Sequence, residues 1–175
     1  KYILETLGYS EHDVEMGMIA AYLHDIGNLI NRSEHAQSGA IMAFRILDNL
    51  AMEPEEIATV ISAIGNHDEK TAFPVNPVAA ALILADKTDV RRSRVRSKDT
   101  IAFDIHDRVN YSVVKAENVI ETEKKEWELH LTIDTEICSV MDYFEIFLER
   151  MMLCRKAAET LGLRFRLIIN GQKLL

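Results

Sequence analysis

The sequence predicts a mainly α-helical domain followed by a small β-β-α-β unit, α+β in that C-terminal part. Three observations lead there. Apolar residues recur at helical spacing through about residue 100, and from about residue 108 the period becomes two. The 175 residues are 48% hydrophobic, enough for a packed core, so wholesale disorder is excluded. No apolar run reaches the roughly 18 residues that a membrane span needs. The expected domains are 1–100, helical, and 101–175, an appendage suited to dimerisation or regulation.

The helical elements follow from punctuation and stripes. Residues 1–8 read as the tail of a helix ended by Gly8. Ser10 is placed to cap the next helix, which is expected to run to about Gly27. Its centre, Met16 to Leu23, is apolar on every side and should be buried all round. Ser33 is placed to cap a helix over 34–50 with the stripe Ala40, Phe44 and Leu47, flanked by Met42 and Ile46. Pro54 suits the first turn of a helix carrying Ile57, Val60, Ile61 and Ile64. Pro74 and Pro77 break the chain, and a helix is expected over 78–96, apolar at Ala79, Leu82, Ile83 and Val90.

In the tail, Trp127, Leu129, Leu131 and Ile133 alternate with Glu128, His130, Thr132 and Asp134, the pattern of a half-buried strand. Residues 108–120 are its expected hairpin partner, joined through Glu123-Lys124-Lys125-Glu126. A helix over 139–161, with Phe144, Phe147, Leu148, Met151, Ala158 and Leu161 on one side, ends at Gly162, and Arg164–Ile169 reads as a last strand.

Charge and cysteine usage narrow the function classes. The net charge of −8 argues against nucleic-acid binding over the whole surface, the local exception being the basic run Arg91–Lys98. Cys138 and Cys154 form no CxxC and read as small buried hydrophobes, which suits a reducing, cytoplasmic setting. No secretory signal pattern opens the chain. It starts without Met inside an apparent helix, so further residues are expected upstream of Lys1.

Ionisable residues should avoid buried faces unless they are paired or bind metal. His24 and Asp25 end the apolar helix, His35 opens the next one, His67 follows the row of Val60 and Ile64, and Asp86 interrupts the row Ala79, Ile83, Val90. Neutral imidazoles and carboxylates are the donors that a divalent ion takes. Singly, each has a structural alternative: a polar helix start for His35, a carbonyl-satisfied helix end for His67, a buried ion pair for Asp86. Together their order points to a metal site.

Leu23-His24-Asp25-Ile26-Gly27 closing an apolar helix resembles the signature of the HD superfamily of metal-dependent phosphohydrolases, and Leu84-Ala85-Asp86-Lys87 resembles its later Asp motif. His35-Ala36-Gln37-Ser38-Gly39-Ala40 and Ala63-Ile64-Gly65-Asn66-His67 resemble motifs of the branch that hydrolyses symmetrical dinucleoside tetraphosphates. The likeness covers about residues 1–96; the tail resembles nothing identified. It implies an HD-type helical bundle over 1–100. It implies a first ion on His24, Asp25 and Asp86 and a second on His35 and His67, with Asp25 bridging. The family's first metal histidine has no counterpart here and would lie upstream of Lys1, and Asn28 stands where many binuclear members have Lys.

The resemblance further implies metal-activated water acting on a nucleotide or other phosphate ester, with Asp25, Lys87 and Arg92 as the catalytic set. The Arg run, expected on the same helix as Asp86, would help to clamp phosphate. One or two ions of iron, manganese, cobalt, nickel or zinc suit the donors better than magnesium or calcium. Asp68 and Glu69 beside His67 are either assisting carboxylates or solvent-facing loop residues. The expected partners are a small phosphate ester and a second copy joined through the C-terminal unit, with no membrane and no nucleic acid. The competing readings are a mononuclear nucleotidase, in which His35 and His67 line the pocket, and a non-catalytic HD sensor or scaffold.

Overall fold

The computed structural model describes residues 1–69, 72–95 and 104–175. The chain divides into two compact units, 1–85 with 156–161 and 86–155 with 162–175. Among the described residues no helix is long and apolar enough to cross a membrane.

The first unit is helical. After α1 (Tyr2–Thr6) the chain turns through Gly8, whose φ of 76° favours glycine. Ser10 caps α2 (Glu11–Leu23) as expected: its hydroxyl accepts from the Asp13 N–H at 3.1 Å, and the Asp13 carboxylate accepts from the Ser10 N–H at 3.3 Å. His12 lies in the first turn of α2, its Nδ1 3.6 Å from Glu56 Oε1. The helix stops at Leu23, and a separate 3₁₀ turn, Ile26–Leu29, follows Asp25.

Two expectations about burial are corrected here. The all-round burial of α2 fails, because only the face of Val14, Met16, Gly17 and Ala20 packs inward, and Tyr22 is 89% exposed. In α3 (His35–Asn49) the buried row is His35, Ala36, Gly39, Ala43 and Leu47, whereas Phe44 and Ile46 are exposed. Small side chains at Gly39 and Ala43 allow close approach on that face, which outweighs the larger residues beside them. Ser33 does not cap α3. Glu34 precedes it in the left-handed region, φ 57°, without a side-chain cap, and the Ser33 N–H donates to Asn31 Oδ1 at 2.9 Å.

Pro54 opens α4 (Pro54–Gly65), and Pro77 opens α5 (Pro77–Lys87), where Asn76 Oδ1 accepts from the Ala79 N–H at 2.7 Å. Met16 and Ala20 of α2, Ala43 and Leu47 of α3, Ile57, Val60, Ala63 and Ile64 of α4, and Val78, Ala79 and Leu82 of α5 form one buried cluster. Fully burying a Leu- or Ile-sized side chain contributes about 1.5–3 kcal/mol, so this cluster dominates the unit's stability.

The second unit begins at the end of α5. The helix expected over 78–96 ends at Lys87 instead. Arg91 and Arg94 turn back to the Asp89 carboxylate at 2.8 and 3.0 Å, and Arg92–Arg94 form only a short 3₁₀ turn. Asp89 thus provides a local alternative to helix continuation. Arg96 and Lys98 of the basic run, and the boundary expected at 100, lie outside the described residues.

An unforeseen helix, α6 (Ile105–Ser112), is capped by Asp104, whose Oδ1 accepts from the His106 N–H at 2.7 Å. The strand expected from 108 therefore starts at Val113. The sheet runs β1 (Val113–Glu121), β2 (Glu126–Ile133), β3 (Arg164–Ile169) and β4 (Gln172–Lys173), in that spatial order. β1–β2 is an antiparallel hairpin and β2–β3 is parallel, so a crossover must join them, and it contains α7 (Val140–Thr160). The register pairs Trp127 with Phe165, Leu129 with Leu167 and Leu131 with Ile169, all buried. On α7, Tyr143, Phe147, Met151 and Cys154 are buried, while Leu148 of the expected stripe is exposed. β4 also went unforeseen. It returns through Asn170-Gly171, φ 50° and 78°, the two-residue turn that an Asn-Gly pair favours.

Both cysteines are free and buried. Burial pushes the Cys138 thiol up, and its S–H donates to Ser112 Oγ at 2.9 Å. On the sheet, Glu126 accepts from Arg166 Nε at 2.8 Å and Nη2 at 2.7 Å, and this hydrogen bond holds the Glu126 carboxyl below its ordinary value. A depressed carboxyl pKa contributes stability above the unfolded value, about 4.3, that is lost as pH falls through the folded value. Glu126→Gln should therefore flatten the acid limb: between pH 6 and pH 3 its urea midpoint should fall less than that of the parent chain.

Candidate metal centre

The candidate site is built where three helix termini of the first unit meet. His24 follows α2, His35 opens α3 and His67 follows α4. Each ring is oriented by the same local device. His24 Nδ1 lies 2.7 Å from the Ala21 carbonyl, His35 Nδ1 3.1 Å from that of Arg32, and His67 Nδ1 2.6 Å from that of Ile64. A carbonyl oxygen only accepts, so each Nδ1 carries the proton and each Nε2 keeps its lone pair. Such backbone contacts orient metal-ligating imidazoles, and losing one typically costs 10–100-fold in affinity.

The Nε2 atoms converge. His35 Nε2 lies 3.2 Å from His67 Nε2, and the His67 ring packs edge-on against both His24 and His35, with centroids 5.1 and 5.0 Å apart. Asp25 divides its carboxylate between them: Oδ2 is 3.6 Å from His24 Nε2 and Oδ1 is 3.3 Å from His35 Nε2. His24, Asp25 and His67 present donor atoms within 4.8 Å of one another, a group that can hold a metal ion. With Nδ1 of each ring turned to a carbonyl, the Nε2 atoms of His35 and His67 face each other across the site. A nitrogen–nitrogen separation of 3.2 Å also suits two imidazoles that each lie about 2.1 Å from one ion. The donor set therefore fits a divalent ion that takes nitrogen and oxygen together.

His35 and His67 are buried, at 3% and 1% exposure, whereas the Asp25 side chain is half exposed. Water can thus reach the carboxylate, while the His35 and His67 rings are largely shielded. Beside His35 a cleft of about 350 Å³ opens, lined by Arg32, Ser33, His35, Asp68 and Glu69. Asp68 and Glu69 are half-buried at this cleft rather than free in solvent. The sequence marked Ser33 only as a helix cap and Arg32 not at all, because no periodicity or motif joins two polar residues of an irregular turn to a site.

The other anticipated residues fall in the second unit. Asp86 and Lys87 pair at 2.7 Å, with Lys87 buried. Arg92 stacks over the Tyr111 ring at 4.5 Å, donates from Nε to the Tyr111 carbonyl at 2.7 Å, and has Asp134 3.7 Å from Nη2. It is already engaged in holding α6, off the helix that was expected to carry it.

A close backbone crossing brings Asp25 to His35. A Cβ on Gly27 would collide with the His35 carbonyl oxygen and lie 2.6 Å from Gly39 N, and a Cβ on Gly39 would lie 3.3 Å from Gly27 N. No family model matches the chain, and no solved structure matches it. It is 27% identical over 143 residues to an uncharacterized protein of Methanocaldococcus jannaschii, a match covering 77% of this chain and 54% of that protein. The chain thus spans about half the length of the curated relative it matches.

Two substitutions test this geometry. Gly27→Ala should destabilise the chain by about 3 kcal/mol in urea unfolding, because the obstructing atoms are backbone. Gly17→Ala should cost less, because its Cβ meets a movable Leu4 methyl at 2.8 Å. Equal stabilities for the two variants would contradict the close crossing.

Proposed function

We propose that the chain is a metal-dependent phosphohydrolase of the HD type, acting on a nucleotide or another phosphate ester. The observation that carries this reading is the meeting of hydrogen-free donor atoms from His24, Asp25, His35 and His67 on three helix ends. A divalent ion held there would lower the pKa of a coordinated water toward neutrality and offset charge on phosphoryl oxygens.

The chain's own groups do the rest. The Ala21, Arg32 and Ile64 carbonyls keep the Nδ1 protons in place, so that the rings meet an ion as neutral donors without reorganising. Asp25, facing His24 with one oxygen and His35 with the other, is disposed to bridge two ions. This division favours the binuclear reading over the mononuclear nucleotidase. Hydrolysis consumes one water, breaks one P–O bond and leaves phosphate and an alcohol or a shorter nucleotide.

The test begins with elemental analysis of protein purified without chelator. One or two ions of iron, manganese, cobalt, nickel or zinc per chain are expected, with metal-dependent release of phosphate from an ester panel. Asp25→Ala should strip the metal while the metal-free variant keeps the thermal midpoint of the metal-free parent, because its side chain is half exposed and outside the core. A chain that binds no metal after reconstitution with iron or manganese would overturn the proposal and leave a binding module.

A further inference from the structure

Resting on that reading, we infer that the cleft beside His35 is the substrate pocket and that Arg32 and Asp68 set its specificity. Arg32 seats one phosphate, and the carboxylates of Asp68 and Glu69 exclude a second. The site then takes phosphomonoesters of polyhydroxylated alcohols in preference to polyphosphate chains.

The argument starts from what the cleft shares with the donor cluster. His35 lines it and also faces Asp25 Oδ1 at 3.3 Å and His67 Nε2 at 3.2 Å, so the cleft adjoins the donor cluster through His35. Arg32 plays two parts by position: its carbonyl orients the His35 ring, and its side chain lines the cleft. Among the described residues its guanidinium pairs with no carboxylate, unlike Arg91 and Arg94, which close on Asp89. A planar guanidinium beside a metal centre suits bidentate contact with phosphate oxygens, and Ser33 adds a hydroxyl donor at the same cleft.

Among the described residues the rest of the lining, Asp68 and Glu69, is acidic. A phosphate dianion can sit between Arg32 and the centre, but a second phosphate would meet Asp68 and Glu69 with like charge in a partly desolvated cleft. Carboxylates readily accept from hydroxyl groups, so a sugar-like remainder is favoured there instead. Size agrees: about 350 Å³ lies at the small end of ligand pockets, roughly 300–1,000 Å³, and suits a monoester rather than a dinucleoside polyphosphate.

Calorimetric titration of the manganese-loaded chain with inorganic phosphate and with methylene diphosphonate tests the proposal. Arg32→Gln should weaken phosphate binding at least tenfold with metal content unchanged, and Arg32→Lys should restore part of it. Asp68→Asn should raise the affinity for methylene diphosphonate relative to phosphate at least tenfold. Unchanged phosphate binding in Arg32→Gln, or an unchanged ratio in Asp68→Asn, would overturn the proposal. The same titrations on chelator-treated chain separate the two readings. Absence of metal in every preparation sinks the hydrolase, whereas phosphate binding that still depends on Arg32 upholds the subsite. Binding indifferent to Arg32 in both forms sinks the subsite alone.

Discussion

The candidate centre depends on one close approach, that of the Gly27 backbone to the first turns of α3. No side chain separates the 3₁₀ turn from His35 and Gly39, and Asp25 therefore comes within 3.3 Å of an imidazole ten residues further along the chain. A methyl group at either glycine would force the two backbones apart. The core supports this crossing: Ala43 and Leu47 of α3 and Ile57, Val60 and Ile64 of α4 hold the helices whose ends carry His35 and His67.

The second constraint is electronic. Each of the three histidines gives its Nδ1 proton to a carbonyl three residues earlier, at 2.7, 3.1 and 2.6 Å. The ring tautomer is thus determined by the backbone, before any ligand arrives. Burial of His35 and His67 keeps both rings in that orientation.

The second unit solves a different problem, namely how a parallel strand pair holds its register with little sheet on either side. Asn170 clasps the end of β2, donating to the Ile133 carbonyl at 3.0 Å and accepting from the Ile133 N–H at 2.8 Å. Glu126 and Arg166 tie the other end. Four basic residues at its start are engaged internally: Arg91 and Arg94 by Asp89, Arg92 by Tyr111, Lys87 by Asp86.

How much of this was legible depends on the range of the interaction that decides it. Capping by Ser10, the helix start at Pro54, and the alternation that buries Trp127, Leu129 and Leu131 are local, and the sequence by itself determined them. It also marked His24, Asp25, His35 and His67, because ionisable residues at the ends of apolar helices carry their anomaly in the linear order. Asn170-Gly171 and Asp104 were local signals too, and reading them would have supplied β4 and α6. Which face of α3 is buried and that β3 runs parallel to β2 were decided by tertiary packing, since each depends on partners distant in sequence. The pairing of Arg92 with Tyr111 and the assembly of Arg32, Ser33, Asp68 and Glu69 into one cleft belong to the same class. A helix shows its own periodicity in one dimension, but which of its faces meets a neighbour exists only once the neighbour is in place.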